Sequence, residues 1–236
     1  MRRFFLLPAL LVALATPAFA QVTIGTGAPT NEVAPLGKDS NLGTIPTAIA
    51  ETFFAPVGQD YLQAFSFFVK GGFGDAGSSL LLSASIYEFS VDHLVGSALF
   101  TSASVNGNNA ATDQPLSFGG DPNAPLNIFL APGQMYALVL SSVSNYAATP
   151  DGSTVSVGAT QDDAFAGGQL FISLETDQAA LFNSGAFFTS DDTPDAAFSA
   201  SLTSAPVVST PEPASFVLMA TGLAGVGLVV KRRRRA

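Results

Sequence analysis

Side chains able to do chemistry are sparse in this chain of 236 residues. His93 is the sole histidine, set beside Asp92 just ahead of an apolar stretch that starts at Leu94, and there is no cysteine. An imidazole can act as a general base, but a lone histidine at a strand edge is ordinarily a solvated one. A zinc site built from nitrogen and sulfur ligands needs several such side chains, and they are missing here. Carboxylates are the other reactive class. Asp191, Asp192 and Asp195 crowd one short loop, and Asp162 and Asp163 form a second pair. Hard oxygen ligands of this kind suit calcium, with backbone carbonyls completing the shell. The spacing departs from the EF-hand loop, and the competing reading is a solvated acidic loop. Paired carboxylates also suit glycoside hydrolysis, yet no pair among the eighteen acids is singled out by its position. There is no G-x-S-x-G elbow, and no glycine-rich turn opens a helix as a phosphate-binding loop must. The expectation is a non-enzymatic protein, with calcium at Asp191, Asp192 and Asp195 as the one candidate cofactor.

Sugar-binding sandwiches stack pyranose rings on exposed aromatic side chains, chiefly Trp and Tyr. This chain has no Trp, and its four tyrosines, Tyr61, Tyr87, Tyr136 and Tyr146, all fall where packing could claim them. Phe53-Phe54 and Phe187-Phe188 read as core or loop anchors.

The elements that would position these residues are strands. Tyr61, Phe65, Phe67 and Val69 share one face of a strand, with Gln63 the polar exception. Leu80, Leu82, Ala84 and Ile86 share another, with Ser83, Ser85 and Tyr87 opposite. Residues 94–101, 126–130, 135–140, 155–159 and 169–174 read as further strands. In a last strand over 196–202, Ala196, Phe198, Ala200 and Leu202 point inward, and Val22 to Ile24 suggests an edge strand. Period-two alternation marks half-buried strands. Turn chemistry separates them, at Lys70-Gly71-Gly72, Asn106-Gly107-Asn108, Pro132-Gly133, Pro150-Asp151-Gly152 and Gly167-Gly168. The fold expected is all-β, an antiparallel β-sandwich of jelly-roll type, spanning 21–203. The absence of cysteines leaves its stability to the core.

Both ends of the chain have a different composition. Arg2 and Arg3 precede an apolar stretch, and Ala18 and Ala20 place small residues where signal peptidase reads, so residues 1–20 are expected to be a signal peptide cleaved before Gln21. Two adjacent arginines alone do not make a twin-arginine signal, which favours the general secretory route. At the other end a Ser, Thr and Pro-rich linker, 204–213, closes on Pro211, Glu212 and Pro213. An uncharged run of seventeen residues follows, 214–230, and then Lys231, Arg232, Arg233, Arg234 and Arg235 in a basic tail, 231–236. As a helix the run would be about 25 Å long, at the short limit for crossing a bilayer core of about 30 Å. The basic cluster acts as a stop and keeps its own side cytoplasmic, leaving Glu212 outside. Between the two ends only Lys38 and Lys70 oppose eighteen acids, a formal charge of −16. Such a surface repels nucleic acid and anionic lipid.

The order of these parts, a Pro-Glu-Pro motif, a short apolar helix and an Arg-rich end, resembles the PEP-CTERM sorting signal of exopolysaccharide-producing Gram-negative bacteria. The segments 51–56, 130–136 and 195–198 also resemble stretches of sandwich ectodomains in proteins of that kind. The resemblance implies recognition at Pro211, Glu212 and Pro213 by an exosortase, a membrane enzyme resembling a cysteine transpeptidase. It implies export, transient anchoring in the inner membrane, and delivery to the cell surface or matrix. The function expected on that basis is a structural protein associated with exopolysaccharide. A carbohydrate-binding module is the alternative, and an extracellular hydrolase a more distant one.

Overall fold

The structure, a computed structural model, describes residues 21–33, 35–70, 80–107, 114–121, 124–160, 164–189 and 194–207. These residues form fourteen strands in two antiparallel sheets packed as a sandwich. The longer strands are β1 (Gln21–Gly25), β4 (Ala48–Phe54), β5 (Tyr61–Lys70), β6 (Leu81–Ser90), β7 (His93–Thr101) and β9 (Gln114–Gly119). They continue with β11 (Met135–Ser141), β12 (Ser153–Ala159), β13 (Leu170–Ser173) and β14 (Phe198–Thr203). Short ladders fill the gaps: β2 (Asn31–Glu32), β3 (Leu36–Lys38), β8 (Val105–Asn106) and β10 (Ile128–Phe129). One sheet runs β1-β14-β5-β12-β2, with β3, β9 and β10 joined to it. The other runs β13-β4-β11-β6-β7, with β8 on β6.

The core lies between the sheets and is built from phenylalanine and small aliphatics. Phe53, Phe67 and Phe198 are wholly buried, and Phe65 stacks on Phe118 with ring centroids 5.1 Å apart. Each such side chain contributes about 2–3 kcal/mol through burial. The inward alternation of Ala196, Phe198, Ala200 and Leu202 is present as expected, and so is that of Leu80, Leu82, Ala84 and Ile86. β1 has a single neighbour, β14, as an edge strand should.

Two features depart from the alternation read in the sequence. In β5, the partner of Leu202 is Leu62 while that of Ser201 is Ala64, so Gln63 is an extra residue. This β-bulge shifts the phase of the strand: Leu62 enters the core in place of Tyr61. Gln63 donates to the Thr203 hydroxyl at 2.8 Å, and Tyr61 meets Phe129 edge-on at 5.5 Å. The second departure is β4, a central strand that alternation does not reveal. Ala48 to Phe53 are all buried, because the second sheet is covered on its outer face as well. That face carries its own apolar cluster, in which Phe89 packs on Phe171 and Phe187 under the chain of residues 181–187. A strand covered on both sides needs no polar face.

The register places the strand ends. Phe54 pairs with Met135, Tyr136 with Glu88, and Ser90 with His93. Tyr61 pairs with both Phe129 and Thr203. The turns 55–60, 91–92 and 130–134 therefore lie at one end of the sandwich, where the chain also leaves β14 for Val207. Residues 39–47, 142–152 and 174–177 lie at the opposite end.

Candidate functional site

His93 and Asp92 sit on the β6–β7 hairpin. The His93 Nδ1 lies 2.8 Å from Asp92 Oδ1. The other Asp92 oxygen accepts from the Ser184 hydroxyl at 3.1 Å and from the Gly185 backbone N–H at 2.8 Å. The Asp92 carbonyl also accepts from the Phe187 N–H. These bonds, the His93 one first among them, hold the Asp92 carboxyl below its ordinary value. The arrangement staples the hairpin to the segment that covers the outer cluster.

Of the acidic-loop residues, Asp191, Asp192, Asp162 and Asp163 lie outside the described residues. Asp195 is buried and its Oδ2 accepts from the Phe165 N–H at 2.7 Å. Glu51, on the inner face of β4 with Ile49 and Phe53, accepts from the Ala196 N–H at 2.9 Å. Two buried carboxylates, those of Glu51 and Asp195, thus tie residues 195 and 196 to β4 and to Phe165. Glu51 is invisible in the sequence because β4 shows no alternation to mark which way it points. Among the described residues no three His, Cys, Asp or Glu side chains converge on one point.

Two of the four tyrosines are interior. Tyr87 and Tyr136 are buried, and burial pushes the Tyr136 phenol up while its oxygen accepts from the Ala131 N–H. Tyr146 is half-buried at the end opposite the chain exit, with the Lys38 ammonium 5.3 Å above its ring. The paired phenylalanines divide: Phe53 and Phe187 are buried, Phe54 and Phe188 exposed.

Two clefts mark the two ends. Near the exit, Thr52, Phe54, Val91, Met135, Gln169 and Phe171 line one of about 340 Å³, with no titratable side chain among the described residues that line it. At the far end, Lys38, Asp39, Ser40, Tyr146 and Asp151 line a smaller and more polar one of about 210 Å³. There Asp151 accepts from the Ser40 N–H at 2.7 Å and from its hydroxyl, and those bonds hold its carboxyl low.

The chain leaves the sandwich under a clamp. Asn127 donates through Nδ2 to the Val207 carbonyl and accepts through Oδ1 from the Val207 N–H, both at 2.8 Å. Beyond it, residues 209–235 match the model of the PEP-CTERM protein-sorting motif. The chain ends in a PEP-CTERM sorting signal. The match covers Pro211, Glu212 and Pro213, the apolar run and the basic cluster together. A PEP-CTERM signal implies an exported protein, associated with the membrane and cell surface through processing by an exosortase. No curated protein and no solved structure proved similar to the chain. Pro211 to Pro213, the run 214–230, Lys231, Arg232, Arg233, Arg234 and Arg235 lie outside the described residues, as do Ala18 and Ala20 of the expected signal peptide. No helix among the described residues is long and apolar enough to cross a membrane.

Proposed function

We propose that this is a non-enzymatic structural protein of the cell surface or extracellular matrix, associated with exopolysaccharide. Residues 1–20 direct secretion, 21–203 form the working domain, and 204–213 link it to a temporary anchor, 214–230. Lys231 to Arg235 hold the cytoplasmic side, and processing at Pro211-Glu212-Pro213 releases the domain. The sorting motif at 209–235 carries this reading. The non-enzymatic part is supported by the use of His93 and Asp92 as a staple between the hairpin and the segment at Ser184 and Gly185. A jelly-roll course of the chain is the finer form of the fold. It is supported by β4 lying between β11 and β13, strands far from it in sequence.

A carbohydrate-binding module is the second reading, favoured by the polar cleft at Lys38, Tyr146 and Asp151. Lys38 already occupies one face of the Tyr146 ring, which weighs against sugar stacking there. Retention of the mature protein on purified exopolysaccharide separates the two. Retention lost with Tyr146→Ala selects the module, and retention indifferent to that change selects the structural role. Calcium at Asp191, Asp192 and Asp195 belongs to the same proposal, supported by the fixed, buried carboxylate of Asp195. A ligand that binds only the native state raises its stability, so millimolar Ca²⁺ should raise the melting temperature. An equal effect from Mg²⁺ removes calcium from the account.

A further inference from the structure

The most exposed large apolar side chains are unevenly placed. Five among the described residues exceed half exposure: Val57 at 87%, Val91 at 79%, Phe129 at 55%, Leu42 at 52% and Phe54 at 51%. Four of them, all but Leu42, lie at the end where the chain leaves for its tail.

Local structure sets them there at some cost. Val57 occupies the tip of a turn closed by Gln59 N–H on the Pro56 carbonyl, with Gly58 at φ 79° supplying the left-handed residue that a type II turn needs. Val91 is the centre of a three-residue turn in which the Asp92 N–H donates to the Ser90 carbonyl. Its own φ is 47°, a region that a β-branched side chain occupies only under strain. Glycine or asparagine would relieve that strain, and a side chain exposed to this degree gains little from packing. Strain that the fold does not use points to a function outside it. Phe129 leans on Tyr61, an aromatic pair with an apolar body and one polar tip, the character favoured at membrane–water boundaries.

The covalent connection supplies the occupant. Asn127 fixes Val207 at this end, and only residues 208–213 separate it from the apolar run. Six residues reach at most about 20 Å. A ten-residue strand spans about 33 Å, so the tether brings the exit end to the bilayer and leaves the far end away from it. We propose that Phe54, Val57, Val91 and Phe129 form a lipid-contacting face that rests on the outer surface of the bilayer while the tail is in place. This rests on the reading of 214–230 as an anchor. The contact is apolar, since no lysine or arginine stands near these four in the sequence, while Asp60 and Asp92 stand beside them. Four tips are too few to hold a free domain. Tethering raises their effective concentration at the surface, so the face holds the domain down before processing and lets it go afterwards. Glu212 would then be presented close to the membrane boundary in a domain of fixed orientation.

The absence of cysteine from the chain allows single labels. The full chain carrying Val57→Cys, Val91→Cys, Leu42→Cys or Leu218→Cys is labelled with an environment-sensitive fluorophore. Each is reconstituted into phosphatidylcholine vesicles containing acyl-chain nitroxide quenchers. Labels at 57 and 91 should be quenched several-fold more than the label at 42, and anionic lipid should reduce the difference. Quenching at 218 with 57 and 91 no different from 42 overturns the proposal and leaves the anchor intact. No quenching at 218 overturns the anchor reading, and the proposal with it. Protection of 57 and 91 only when an exosortase is reconstituted alongside also overturns it, in favour of a protein partner.

Discussion

The two ends of the sandwich are built from the same strands and differ in almost everything else. The far end closes on polar groups: Lys38 donates to the Thr149 carbonyl, Asp151 binds Ser40, and Thr47 binds the carbonyls of Ser173 and Glu175. Apart from Leu42 and Leu174, its turns meet water with side chains that water solvates well. The exit end has side-chain bonds of its own at Asp92 and Asn127, yet it exposes valine and phenylalanine at its tips. A turn that only connected strands would favour Gly, Asn or Asp there. The difference teaches that the end facing the tail carries a constraint from outside the fold, and the opposite end does not.

The comparison can be tested from its largest expected effect downwards. Gly168 stands beside β4 near the exit end, and a Cβ there would lie 1.8 Å from the Thr52 carbonyl oxygen. Gly168→Ala must displace a central strand and should cost about 3 kcal/mol. Gly152, at the far end, has φ 77° and open space around it. Gly152→Ala meets only the left-handed backbone penalty and should cost about 1 kcal/mol. Urea unfolding of both variants checks the pair, and equal losses would mean that the exit-end strand yields more easily than its packing implies.

Val91→Asn should act in the opposite sense. Asparagine tolerates φ 47°, so the variant should gain about 1 kcal/mol. It should also weaken the quenching of a label at Val57→Cys by acyl-chain nitroxides in the anchored chain. Thermal melts and vesicle quenching measure the two effects separately. A variant that is stabilised and leaves the quenching at 57 unchanged would break the link between the strained tip and lipid contact.

The smallest effect is a matched pair of staples, one at each end. Asp92 and Asp151 both have carboxyls held below the ordinary 3.8 by hydrogen bonds in the folded state. A depressed carboxylate contributes stability above its unfolded pKa, and that contribution fades as pH falls through the folded value. Asp92→Asn and Asp151→Asn should therefore each lower the melting temperature slightly at pH 7. The gap from the parent should narrow as pH falls below the ordinary carboxylate value. A gap that persists in acid would assign the loss to packing instead of charge.

What the sequence made legible follows from where each signal lives. The strands carrying Phe198 and Ile86 were readable because their core-facing apolar side chains alternate with serines. β4 was hidden because the outer cluster of Phe89, Phe171 and Phe187 covers its second face, which erases the alternation. Tyr61 was placed inward because the bulge at Gln63 depends on pairing with β14, a contact about 140 residues distant that no local pattern encodes. The sorting tail was legible because its recognition is linear: a motif, an apolar run and a basic end read in order. The exit-end face was not, since Phe54, Val57, Val91 and Phe129 come together only when three separate turns do.

The central claim is that the chain after Pro211-Glu212-Pro213 is temporary. Intact-mass measurement of the surface-exposed protein, recovered from a host that has an exosortase, tests it most directly. The account predicts a mature product that begins at Gln21 and lacks 214–236, with the full-length form trapped in the inner membrane when Pro211, Glu212 and Pro213 are replaced by Ala. A surface product that retains its C-terminus through Ala236 would contradict it.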